Sequence, residues 1–128
     1  MKFLFTSLCL FFSALFSCQQ KGSGFKSLSV DEFTTLIANP EVQRLDVRTV
    51  VEYSEAHIPG SININVLDKN FETVTDSVLQ KDKPVALYCR SGKRSKKAAS
   101  ILSEKGYTVY DLNDGFIGWQ TAGKETEK

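Results

Sequence analysis

The sequence predicts an α/β domain: a central parallel β-sheet flanked by helices on both faces. Three observations carry this. Short apolar runs alternate with stretches of helical spacing, the pattern of strand–helix–strand units. One run, Pro84-Val85-Ala86-Leu87-Tyr88, is almost continuously apolar, as a strand buried on both faces must be. The chain has 128 residues, and about 100 of them remain once an N-terminal export segment is set aside, which is one domain and not two. A domain of that size buries roughly 60–70% of its unfolded surface and needs no metal or disulfide staple.

The first segment is not part of that domain. Lys2 supplies one positive charge, and Phe3 to Phe16 is apolar apart from Thr6, Ser7 and Ser13. Fourteen residues of helix span about 21 Å, short of the roughly 30 Å hydrocarbon core of a bilayer. A secretory signal over residues 1–17 therefore fits better than a transmembrane helix. Leu15-Phe16-Ser17-Cys18 resembles the bacterial lipobox, in which a small residue precedes the cysteine that becomes lipidated. Leu15, Ser17 and Cys18 match, and Phe16 is bulkier than the usual occupant. The expectation is lipidation at Cys18, with a polar, glycine-containing tether reaching to Ser27. Nine flexible residues reach roughly 15–20 Å. The chain is accordingly expected to be exported and held in the cell envelope, in the periplasm or at the outer membrane, by this anchor alone.

The domain is expected over residues 28–123, followed by a polar tail at 124–128. Ser29-Val30-Asp31-Glu32 matches the S-x-x-E capping box and opens a helix through Phe33, Leu36 and Ile37. Asn39-Pro40 stops it. Gln43 to Val47 reads as a strand, Thr49 to Glu55 as a short helix, and His57-Ile58-Pro59-Gly60 as a turn. Ser61 to Val66 alternates like a strand. Phe71, Val74, Val78 and Leu79 recur at helical spacing. After the apolar strand 84–88 comes a loop, then a helix over Ser95 to Lys105, with Gly106 as its C′ residue. Tyr107 to Leu112 is the last strand, and Gly115 to Gln120 a closing turn or short helix.

Composition excludes several functions. Hydrophobic residues make up 41% and charged residues 24%, and the net charge is +1. Without Lys2 the basic and acidic residues balance at 15 each, so a nucleic-acid binder, which needs a large basic excess, is not expected. The sequence carries no signal for an oligomer, and a monomer is expected. Of three cysteines, Cys9 lies within the leader and Cys18 at its end. An odd count without regular spacing is no disulfide framework. Cys89 is left as the candidate free thiol of the domain.

Cys89 stands where the buried strand ends, and active sites of parallel sheets lie beyond the C-terminal strand ends. The loop that follows, Cys89-Arg90-Ser91-Gly92-Lys93-Arg94, leads into Ser95 and a helix N-terminus. Such a loop can turn several backbone N–H groups into one concavity, and the helix start adds partial positive charge. Arg90, Lys93 and Arg94 add full charges. These groups favour the thiolate, the nucleophilic form of cysteine, and would hold an anionic substrate against it. The bland alternative is a buried structural cysteine at a strand end, with one or more of the cations merely solvated.

Four ordered segments resemble the single-domain rhodaneses, and the resemblance spans about Phe25 to Gly123. They are Leu45-Asp46-Val47-Arg48 with Glu52-Tyr53; His57-Ile58-Pro59-Gly60-Ser61 with Asn63; Cys89 to Ser95; and Gly106-Tyr107, Val109, Leu112, Gly115-Phe116 and Trp119. Two positions depart from the family pattern, Ala56 and Asp114, where glycines are usual; both bear on turn geometry. The resemblance implies sulfurtransfer. Cys89 would be the nucleophile and Arg90, Ser91, Gly92, Lys93, Arg94 and Ser95 would bind substrate. The donor would be a small anion such as thiosulfate, the acceptor cyanide or a thiol, including a protein thiol, and no metal or organic cofactor would be needed.

The same residues bear on other functional classes. His57 is the only histidine, so a Cys–His protease pair would have to use it; the resemblance instead puts it in a structural turn. Asp46 and Arg48 read as an ion pair or as a carboxylate holding turn amides, and Phe116 and Trp119 as core. A phosphatase of related fold would separate its cysteine and arginine by five residues, whereas four separate Cys89 from Arg94. A disulfide oxidoreductase needs a resolving cysteine. A persulfide carrier, or a non-catalytic binding module serving a protein partner, is the alternative reading.

Overall fold

The computed structural model describes residues 24–128. The expected leader, Cys9, Cys18 and most of the tether lie outside the described residues. In chain order the elements are β1 (Lys26–Leu28), α1 (Val30–Ile37), β2 (Gln43–Asp46), α2 (Val50–Glu55), β3 (Ile62–Asn63), α3 (Phe71–Val78), β4 (Val85–Tyr88), α4 (Lys93–Glu104), β5 (Val109–Leu112) and α5 (Gly115–Thr121). The strands form one sheet in the order β1-β5-β4-β2-β3, and every pairing is parallel. This is the expected α/β architecture.

Helices cover both faces because the central strand β4 is apolar on both. On β4, Val85 and Leu87 pack with Phe71 of α3 and with Ala98, Ala99 and Leu102 of α4. Ala86 and Tyr88 point the other way and meet Phe33 and Ile37 of α1 and Phe116 and Trp119 of α5. The alternation of Cβ directions along a strand makes these two separate cores. All four β4 residues are buried, as their apolar run requires.

Several boundaries move, each for a physical reason. Lys26 and Ser27, expected in the tether, already lie in the edge strand β1, in register with Tyr110 and Asp111 of β5. The strand expected over 61–66 shrinks to Ile62–Asn63. Beyond it the chain still donates, from Ile64 N to Asp46 O and from Val66 N to Val47 O, while Ile64 and Val66 are drawn into the core. Tyr107 closes the end of α4, its N–H donating to Leu102 O, so β5 starts at Val109. The helix expected from Ser95 begins at Lys93. The tail is also not free: Glu127 and His57 exchange backbone hydrogen bonds of 2.8 and 2.9 Å, and Trp119 Nε1 donates to Glu125 O at 2.8 Å.

Two capping boxes start helices at the left of the chain. The expected one joins Ser29 and Glu32 on α1. The second joins Thr49 and Glu52 on α2, a six-residue helix with no buried residue. Caps matter most on such a helix, because burial supplies little. The departures Ala56 and Asp114 occupy ordinary extended and right-handed backbone, so neither position needs glycine.

The strand order creates a crevice. From β2 the chain moves outward to β3, while from β4 it moves the opposite way to β5. The connections leaving the adjacent strands β2 and β4 therefore diverge, and ligands of parallel sheets bind at such switch points. The β2 side of the crevice is set by Asp46 and Arg48, both buried. Asp46 accepts from Arg48 N at 2.9 Å, from Arg48 Nε at 3.0 Å and from Arg48 Nη2 at 2.7 Å. It is therefore both the ion pair and the turn-holding carboxylate expected. Replacing Asp46 by Ala leaves the Arg48 guanidinium buried without its partner. The expected loss is about 3–5 kcal/mol of unfolding free energy, read as a lower urea midpoint with an unchanged slope.

Candidate active site

The loop after β4 folds around the Cys89 sulfur. Gly92 N donates to Cys89 Sγ at 3.1 Å, and the sulfur lies 3.5 Å from Ser95 Oγ. The turn works because Gly92 takes a left-handed φ of 100° and serves as the N-cap residue of α4. A side chain there would also collide with the backbone carbonyl of Asn113. Gly115, at φ 64°, allows a second close approach; a Cβ on it would strike the Arg90 carbonyl. That approach brings two N–H groups of α5 onto the loop. Phe116 N donates to Cys89 O at 2.8 Å and Ile117 N to Arg90 O at 3.0 Å. The loop is thus fixed from outside as well as from within.

Cys89 is 1% exposed. Burial pushes a thiol up, because it penalises the charged form. Here burial is the largest single influence, yet hydrogen bonds from the Ser95 hydroxyl and from the backbone N–H groups of Ser95, Gly92 and Ser91 together outweigh it and hold the thiol below its ordinary value. A sulfur ringed by donors that favour its anion is a nucleophile's environment and not that of an inert core cysteine.

The expected substrate-binding residues divide. Ser91, Gly92 and Ser95 are brought to the sulfur by the hydrogen bonds just described. Because α4 starts at Lys93, two residues earlier than expected, Lys93 and Arg94 stand on the first helical turn and not in the loop. Arg90 and Lys93 are exposed. Arg94 differs from expectation: its two Nη atoms donate to the two oxygens of Glu52 at 2.8 and 2.9 Å. Its fork is committed, so it lends charge and rigidity to the site instead of an open grip on an anion. Arg94 holds the Glu52 carboxyl down at about 2, with Thr49 assisting against burial. Glu52 was not singled out as a site residue from the sequence, although its capping-box spacing after Thr49 was there to be read.

His57 takes no part in the nucleophile's surroundings. Nδ1 is 2.8 Å from Tyr53 O and Nε2 is 3.2 Å from Glu127, and the ring stacks on Tyr53 with centroids 3.7 Å apart. It is the structural turn residue expected. Phe116 and Trp119 are core, though Phe116 has a second duty. It carries the Arg48 guanidinium on its ring face, 4.3 Å from the centroid, and with Arg48, Glu52, Glu55, Arg90 and Ile117 it lines a cavity of about 160 Å³ beside the loop. That cavity is the crevice between the β2 and β4 connections. No group of three His, Cys, Asp or Glu side chains placed to hold a metal ion occurs among the described residues.

Residues 29–122 match the family described as rhodanese-like domain. A thiosulfate sulfurtransferase of Shewanella oneidensis is 33% identical over 101 residues, an alignment covering 78% of this chain and 97% of that protein. A tRNA uridine(34) hydroxylase of Legionella pneumophila is 32% identical over 106 residues, but they amount to only 41% of its length. Among solved structures, a rhodanese-related protein from Thermoplasma volcanium superposes with a TM-score of 0.71 at 27% identity, covering 80% of this chain and 98% of that one. With its parallel sheet, its cysteine at the end of β4 and this match across nearly all of the described residues, the chain belongs to the rhodanese family.

Proposed function

We propose that this protein is a sulfurtransferase that moves a sulfane sulfur from a small anionic donor such as thiosulfate to cyanide or a thiol through a persulfide on Cys89. One observation carries the reading: a buried sulfur whose anion is favoured by converging donors from Ser91, Gly92 and Ser95. The relatives named thiosulfate sulfurtransferase support it.

The chemistry balances without a cofactor. The Cys89 thiolate attacks the outer sulfur of thiosulfate; a Sγ–S bond forms, the bond to the sulfonate sulfur breaks, and its electron pair leaves on sulfite. The outer sulfur keeps a negative charge, and the loop N–H groups are placed to hold it. A cyanide ion or thiolate then takes that sulfur and returns the Sγ thiolate, as two-step covalent catalysis requires. A thiolate and a dianion repel each other, so the positive charges around the loop lower the barrier to their approach and stabilise the charge on departing sulfite. Arg90 and Lys93, exposed and in no ion pair among the described residues, are the cations free to do this. The commitment of Arg94 to Glu52 disfavours a phosphatase, which would need that fork for phosphate.

Replacing Cys89 by Ser should reduce thiosulfate:cyanide turnover to background. Incubation of the wild-type protein with thiosulfate should add about 32 Da to the residue, one sulfur atom bound covalently. Wild-type turnover in the variant would overturn the reading. A carrier serving a protein thiol would show the same mass adduct with slow cyanide turnover.

The low thiol pKa also fixes the pH profile. A depressed pKa keeps the thiolate, and with it kcat/KM, until the pH falls through the folded value. The acid limb should therefore lie below the ordinary thiol value of about 8.5. Replacing Ser95 by Ala removes the hydroxyl donor, so the limb should move upward by roughly 0.5–1 unit, with KM for thiosulfate changing less than kcat.

Export and anchoring are part of the proposal, on the leader's length and the Leu15–Cys18 motif. Fatty-acid labelling of the full chain in a bacterial host, followed by membrane sedimentation, tests it. Replacement of Cys18 by Ser should abolish the label and release the protein from the membrane fraction.

A further inference from the structure

Lys96 reaches a position the nucleophilic chemistry does not explain. Its ammonium has three donors, and three acceptors surround it. Lys96 Nζ is 3.0 Å from Asp111 Oδ2, 3.0 Å from Asn113 Oδ1 and 3.3 Å from the Gly92 carbonyl. Asp111 is fully buried on β5, between the edge strand β1 and β4. Its Oδ2 also accepts from Ser27 Oγ of β1 at 3.0 Å, and its Oδ1 has no partner among the described residues. A buried carboxylate with one satisfied oxygen is costly, and the lysine that neutralises it spends another of its donors on the turn beside the nucleophile.

That turn is the sensitive part of the site. Gly92 points its N–H at Cys89 Sγ and its C=O at Lys96. Its left-handed conformation is open to rotation, since glycine has no side chain to restrict it. On one flank the Asn113 backbone carbonyl leaves no room for a side chain; Lys96 holds the Gly92 carbonyl, its Nζ donating to it. We infer that Lys96 is a positioning residue of the active site: seated on the buried Asp111, it fixes the Gly92 turn so that the Gly92 N–H stays on the Cys89 sulfur. Asp111 is its foundation, and neither residue touches the sulfur. The inference rests on the reading of Cys89 as a working thiolate.

The experiment follows the ultraviolet absorbance of the thiolate against pH in the full chain, with the Cys89→Ser protein subtracted. It needs neither a sulfur donor nor access to the buried sulfur. In Lys96→Met the titration should move upward by roughly one unit, leaving about tenfold less thiolate on the acid side of the curve. Lys96→Arg should restore the wild-type curve. Lys96→Met strands the Asp111 charge and can fail to fold, so Lys96→Met/Asp111→Leu is measured beside it. That protein lacks both the charge and the hold on Gly92, and it should titrate like Lys96→Met. A folded double variant with the wild-type curve would overturn the inference, because Lys96 would then serve only to neutralise Asp111. A double variant that does not fold would overturn it too, assigning the pair to stability. If the curve moves as expected while thiosulfate leaves no adduct on wild-type Cys89, the positioning role stands and the sulfurtransfer reading falls.

Discussion

The left-handed turn at Gly92 is the constraint on which the site depends. It lets the chain leave a buried strand, reverse within three residues and enter α4 with an N–H group directed back at the strand-end sulfur. Any side chain at this position would meet both an unfavourable φ and the Asn113 carbonyl. The turn is then held from three directions: by α4 beyond it, by the two N–H groups that α5 places on the loop carbonyls, and by Lys96. Together these contacts keep the donors converged on the Cys89 sulfur. Preorganised donors need no rearrangement when charge develops, which is the source of their effect on rate.

Burial and hydrogen bonding oppose each other at Cys89. An apolar strand end would ordinarily produce a neutral, inert thiol. Four donated contacts reverse the balance. The same low-dielectric surroundings that penalise an unpaired charge strengthen each hydrogen bond to a paired one, so depth and activation are compatible here. The cations near the loop are not equivalent. Arg94 is closed on Glu52 and Lys96 on Asp111, and both serve as framework. Arg90 and Lys93 are exposed and in no ion pair among the described residues.

The other wall of the crevice is built differently. Helix α2 buries nothing and stands on its capping box, on the Arg94–Glu52 pair and on Tyr53, whose hydroxyl donates to Ser61 O at 2.7 Å. Its position is therefore electrostatic in origin. The Arg48 guanidinium is clamped by Asp46 and by Ala56 O and lies 4.3 Å from the Phe116 ring centroid. The chain also aligns with part of a longer relative, a tRNA uridine(34) hydroxylase. Function on such a scaffold is decided by the site and its rim, not by the sheet.

The sequence by itself determined the parallel α/β class, the buried strand, the first capping box and the choice of Cys89 as the candidate nucleophile. Each of these depends on residues close together in the chain: an apolar run, an S-x-x-E spacing, a cysteine followed by a glycine and cations. The tertiary structure decided which cations are free. Glu52 lies forty-two residues from Arg94, and Asp111 fifteen from Lys96; no local pattern announces that a charge will be met by another from a distant strand or helix. It also drew Lys26 and Ser27 from the expected tether into β1, because an edge strand three residues long is specified by its partner β5 more than by its own composition. The donors around the Cys89 sulfur were legible from its neighbours along the chain, while the means of holding those neighbours in place was not.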